Sequence, residues 1–116
     1  MNADGAHEHG ETVSLVEVAD ELIANLPRHH AGRTARTLVT GESLRATVIA
    51  LAAGSELAEH DPPHAATLQV LRGSVRLRTG EREWPLAEGQ LATIPSERHS
   101  VHADTDAAFL LSVALL

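Results

Sequence analysis

Between residues 14 and 26 the apolar positions are Leu15, Val18, Ala19, Leu22, Ile23 and Leu26, the three-and-four spacing of one buried helical stripe. Ser14 stands where an N-cap belongs, and Glu17 follows three residues on, the spacing of a capping box. Pro27 cannot continue a helix and ends it. The spacing therefore predicts a helix over 14–26, packed on the outside of a sheet or at a dimer seam. Ahead of it, residues 1–12 are small, polar and charged, the composition of a flexible leader. His7-Glu8-His9 places three ligand types together there, but a short tract in a solvated tail holds metal weakly. Arg28, His29 and His30 read as exposed linker, so residues 13–33 form a helix-and-linker unit.

From Thr34 the period drops from 3.6 to two. Short runs at 35–40, 44–51, 67–71, 75–79, 82–84, 91–94, 100–103 and 107–115 are divided by turns rich in Gly, Ser and Glu. In the fourth run Val75, Leu77 and Thr79 share one face while Arg76 and Arg78 share the other, a solvated face of the kind that guards an edge strand. Short strands at regular spacing over residues 34–116 predict an all-β barrel or sandwich with one N-terminal α-helix. No internal repeat and no second domain is visible.

The composition sharpens this picture. A chain of 116 residues buries one core. Hydrophobic residues make up 43% but aromatics only 2%, so the core is aliphatic, and only Trp84 and Phe109 are available for stacking on bases or sugars. The formal charge is −7 and all basic residues are arginine, which argues against nucleic acid as a partner. Full protonation of the eight histidines would carry −7 to +1, so solubility and association should respond at about pH 6–7. Without cysteine there is no disulfide, thiolate ligand or thiol nucleophile. The N-terminus lacks the regions of a secretory signal, and no apolar run reaches membrane-spanning length, so a cytoplasmic protein without a membrane partner is expected. No nucleophile elbow, phosphate loop or dinucleotide fingerprint is present.

Two stretches hold the chemistry. Residues 54–73, GSELAEHDPPHAATLQVLRG, run from a glycine through His60 to an apolar strand closing on Gly73. Residues 89–99, GQLATIPSERH, run from a glycine through Pro95 to His99. The pair resembles the two motifs of the cupin family: Gly-x5-His-x-His-x3,4-Glu-x6-Gly, and Gly-x5-Pro-x-Gly-x2-His-x3-Asn. The resemblance covers roughly residues 35–116 and implies an antiparallel jelly-roll barrel. Counted back from Gly73, the first family histidine falls on His60, the second on Pro62 and the glutamate on Ala66. In the second motif Gly89 and Pro95 are kept, one residue is missing before His99, and Ala103 stands where the family often has Asn. Of the family's four ligands, His60 and His99 survive.

The resemblance thus implies a reduced, His-based divalent-metal site (Zn, Fe, Ni, Cu or Mn) on His60 and His99, with His64 and water completing it. Glu59 and Asp61 flank His60 as groups able to orient its ring. Such a site would act on a small anionic or carbonyl substrate, steadied by Arg98 or Arg45. Gln69 is a further candidate, although alternation puts it on the outer face if Leu68 and Val70 face the barrel. His102 is expected at the surface, and Trp84-Pro85 as a core or dimer anchor. The competing expectation is a metal-free, non-catalytic module for ligand binding, regulation or dimerisation. A homodimer is expected in either case.

Overall fold

Ser14 does cap the helix: its hydroxyl accepts from the Glu17 amide at 3.3 Å, with the cap in extended conformation. Helix α1 spans Leu15–Asn25, and Leu26 and Pro27 pass into a short 3-10 turn, Leu26–Arg28. Its buried stripe is Val18, Ala19 and Leu22, extended by Leu26 in the turn. The computed structural model describes residues 10–60 and 65–115, apart from the side chains of 59 and 60. Residues 1–9, with His7-Glu8-His9, lie outside it, as do Asp61, Pro62, Pro63 and His64. Among the described residues no helix is long and apolar enough to cross a membrane.

The strands are β1 (Arg33–Thr40), β2 (Leu44–Leu51), β3 (Glu56–His60), β4 (Ala65–Arg72), β5 (Ser74–Arg78), β6 (Glu83–Ala87), β7 (Leu91–Thr93), β8 (His99–Ala103) and β9 (Ala107–Ala114). One strand beyond the expected set is present. Strand β3 reads Glu-Leu-Ala-Glu-His, poor in the residues strands favour, and it exists because β8 pairs with it. Strand β6 also runs further than expected, through Pro85.

Five strands form one antiparallel sheet in the order β1-β2-β9-β4-β7, and four form the other in the order β3-β8-β5-β6. The chain changes sheet at every connection except the β1–β2 and β5–β6 hairpins. That wiring closes the two sheets into a jelly-roll sandwich. Pro85 is tolerated because β6 is the edge of the smaller sheet, where a missing N–H breaks no ladder. Strand β5 is not an edge. It lies between β8 and β6, so Arg76 and Arg78 do not guard one.

Between the sheets lies an aliphatic core around fully buried Phe109, with Leu51, Leu68 and Val70 from one side and Val75, Leu77 and Val101 from the other. The five-stranded sheet is apolar on both faces: Leu38, Val48, Ala50, Leu71 and Ala108 point outward and are covered by α1. Arg72 binds Asp20 of the helix at 2.9 Å and clamps it there. That hydrogen bond and charge raise the Arg72 guanidinium above its ordinary value.

The outer face of the four-stranded sheet is wet and charged. Arg76 bonds Asp104 at 2.8 Å and Glu83 at 3.1 Å, and Arg78 bonds Glu83 at 3.2 Å. Burial lowers the Arg76 pKa, but Asp104 and Glu83 outweigh it and the net direction is upward.

One corner fixes how the sheets meet. Gly73 alone separates β4 from β5, where the chain passes from one sheet to the other, and its φ is +77°. Ser74 N–H donates to Thr105 Oγ1 at 3.1 Å and Asp104 N–H to the Ser74 carbonyl at 3.0 Å, so this corner packs against the β8–β9 crossing.

Candidate functional site

His99 opens β8, and alternation along that strand divides it cleanly. His99, Val101 and Ala103 face the core, while Ser100 and His102 face outward. His99 is only 2% exposed. Its Nδ1 lies 3.1 Å from the Glu97 carbonyl oxygen, which can only accept, so the proton sits on Nδ1. Nε2 is then the basic nitrogen, the arrangement that orients a histidine as a metal ligand.

Strand β3 meets β8 with Glu56 opposite His102 and Leu57 opposite Val101. A regular ladder continued from there would bring position 59 to His99. Instead the register shifts between Leu57 and His60, and position 60 pairs with position 99. One extra residue on β3 is a β-bulge, and a shift of one exchanges which face each position belongs to. The bulge therefore decides that a histidine, not Glu59, stands opposite His99.

The other expected site residues scatter. Arg98 is exposed beside His99, and Arg45 is exposed at the start of β2, opposite Thr40 and Val113. Gln69 alternates with Leu68 and Val70, which belong to the core, so it sits on the outer face of the larger sheet opposite Leu91 and Leu110. It is not brought to the histidines. His64 lies outside the described residues. Among the described residues no three His, Asp or Glu side chains gather into a metal-binding cluster. His102 belongs to the outer charged face, 3.8 Å from Glu56.

A feature absent from the sequence-based expectations lies where the two sheets end. Between edge strands β6 and β7 opens a cleft of about 510 Å³. Buried Leu77 lies at its base with Ala92, and Trp84 and Pro95 flank it. Leu91, 62% exposed, and Arg82 stand at its mouth. The Arg82 guanidinium lies over the Trp84 ring, 4.7 Å from its centroid. Leu77 is the cross-strand partner of Val101, two residues along the same face from His99, so the cleft's base continues the wall that holds the histidine. The sequence signal was Arg82-Glu-Trp84 at strand spacing, which puts cation and ring on one face.

The AraC-like ligand binding domain family matches residues 46–115, from β2 through β9. The chain belongs to this family. AraC-like ligand binding domains share the cupin barrel found here, and solved structures agree. A conserved protein of unknown function from Streptococcus pyogenes is 24% identical with a TM-score of 0.72, covering 100% of this chain and 96% of that one. A cupin superfamily protein from Desulfitobacterium hafniense is 10% identical with a TM-score of 0.75, covering 97% and 96%. An RmlC-like cupin from Desulfovibrio desulfuricans is 21% identical with a TM-score of 0.67, covering 94% of each. At these identities the likeness is one of fold. No curated protein matches the chain.

Proposed function

We propose that this cupin domain binds a small molecule between its sheets, at a site where His60 and His99 hold a divalent metal. The observation that carries the proposal is the cross-strand register: the bulge in β3 sets position 60 directly opposite His99, which is buried and inward-facing. Directly opposed positions of an antiparallel pair have Cβ atoms about 5 Å apart, within reach of one ion for two imidazoles. The Glu97 carbonyl supports the same role by holding the proton on Nδ1 of His99. Two nitrogen donors and no carboxylate suit Zn, Fe, Ni or Cu better than Mn, which prefers oxygen. His64, four residues beyond His60, and water would complete the coordination.

Such a metal supplies Lewis acidity toward a carbonyl or carboxylate oxygen. His60 and His99 would hold it, the aliphatic core would exclude water, and Arg98, next to His99 in the chain, would steady an anionic substrate. A metal-free ligand-binding or regulatory module is the second reading, favoured by the loss of two family ligand positions to Pro62 and Ala66. In that case His99 remains as a hydrogen-bonded wall of the pocket. A homodimer in the cytoplasm completes the proposal: Leu44 and Val16 are exposed and apolar, and association would cover them. Light scattering and cell fractionation test those two points.

Elemental analysis of untagged protein decides between the readings. About one metal per chain in the wild type, absent in His60→Ala and His99→Ala, is the expected result. A native-state ligand at about a hundredfold excess over its Kd adds about 2.7 kcal/mol, so Zn or Ni should raise the wild-type melting temperature and leave both variants unmoved. Equal response in all three proteins would refute the metal site.

A further inference from the structure

We infer that the cleft between β6 and β7 takes a monocarboxylate with a compact apolar body, the carboxylate on Arg82 and the body against Trp84, Leu91 and Leu77. This rests on the ligand-binding reading of the domain but not on the metal. The cleft's 510 Å³ lies within the roughly 300–1,000 Å³ typical of small-molecule sites. Leu77, Trp84, Leu91, Ala92 and Pro95 give it an apolar side beside Arg82 and Thr93, and Leu91 projects a large aliphatic side chain into water from a strand of only three residues. An apolar ligand body would remove that surface and the Trp84 face from water.

The polar requirement comes from Arg82. Among the described residues no carboxylate pairs with Arg82, and unlike Arg28, Arg33 and Arg45, which also lack one, it stands in the cleft over an aromatic ring. Its neighbour Glu83 is on the other face of β6, committed to Arg76 and Arg78. The cation–π contact with Trp84 restricts the guanidinium while leaving N–H groups to receive a planar, two-oxygen acceptor. Among the described residues no acidic side chain lines the cleft to compete. Arg82 and Thr93 are the polar lining side chains, too few to satisfy a polyhydroxylated ligand, which would leave hydroxyls unpaired. A lone cation in a chain of net charge −7 also favours a single negative charge over a multiply charged anion.

Trp84 is the chain's only tryptophan, so its emission reports this cleft directly. The test titrates wild type with hexanoate, 1-hexanol and acetate, following Trp84 emission and, in parallel, binding heat. Hexanoate should bind saturably, with the alcohol and acetate each at least about tenfold weaker, as expected for losing a charge-assisted hydrogen bond or the apolar contact. Arg82→Gln should bind hexanoate no better than hexanol. Leu91→Glu should weaken hexanoate at least about tenfold while Leu91→Gln weakens it less, since only the former adds like charge; both positions are exposed, so these variants should melt as wild type does.

No saturable signal in either assay, equal binding of hexanoate and hexanol, or an unaltered preference in Arg82→Gln would overturn the inference. Chelator-treated protein should bind hexanoate as untreated protein does. Loss of binding there would move the site to the histidines and also overturn it. Metal uptake with no hexanoate binding would refute the cleft alone, and hexanoate binding without metal uptake would refute the metal site alone.

Discussion

Gly73→Ala tests whether the two sheets meet at a corner only glycine can turn. Two costs are separable there. At φ +77° an L-residue pays about 1–2 kcal/mol for the left-handed conformation. In addition, a Cβ at residue 73 would run into the Asp106 carbonyl oxygen and lie 2.6 Å from Thr105 Oγ1 and 3.0 Å from the Ala107 Cα. Backbone cannot swing aside as a flexible side chain can, and forced overpacking of this kind adds about 1–3 kcal/mol. The sum, about 2–5 kcal/mol, is a large share of the roughly 5–15 kcal/mol that holds a small domain folded. At about 4 °C per kcal/mol for a domain of this size, the melting temperature should fall by about 8–20 °C.

Two other glycines calibrate the measurement. Gly54 shares the positive φ, +84°, but an added Cβ meets nothing within 4 Å, so Gly54→Ala should lose only the conformational part. Gly80 has neither constraint, and Gly80→Ala should stay within about 0.5 kcal/mol of wild type or gain slightly. Urea unfolding of the three variants at constant slope gives the ordering directly. Equal losses at 73 and 54 would refute the steric half of the reasoning, and a loss at 80 matching that at 73 would refute all of it.

Phe109→Ala removes the largest fully buried side chain and should cost about 3–5 kcal/mol by urea midpoint. Leu22→Asp sets a charge in the seam between α1 and the five-stranded sheet; the helix should detach, exposing Leu38, Val48 and Leu71, with increased binding of a hydrophobic dye as the readout. The melting temperature should be flat between about pH 9 and 11, because the chain has no Lys, Tyr or Cys to titrate there. Arg72 and Arg76 are raised above their ordinary value, so their stabilisation is complete below that value and is lost only at more alkaline pH still. A sloping profile in that window would contradict the assignment.

How far the sequence could be read depended on periodicity. Helix α1 was legible because cap, stripe and stop agree at Ser14, Leu22 and Pro27. Most strands were legible because alternation persists in them, as in Val75-Arg-Leu77. Strand β3 was not: Glu-Leu-Ala-Glu carries no strand preference, and its existence is a property of β8 beside it. For the same reason the bulge that matches position 60 with His99 could not be read, since it shows only when both strands are in place. Gln69 was conditional on the orientation of Leu68 and Val70, and their burial sends it outward. The cleft needs Leu77 from β5, Trp84 from β6 and Leu91 from β7, a juxtaposition no local pattern encodes.

The salt-bridged exterior of the smaller sheet constrains how copies of this domain can assemble. Arg76, Arg78, Glu83, Asp104 and Glu56 already satisfy one another while remaining hydrated. Pressing a second copy onto that lattice would strip water from every one of those ions and return no new pairing. Self-association is thereby steered away from this face, toward the helix, the larger sheet and the strand edges, and the charged side remains a solubilising coat whatever oligomer forms.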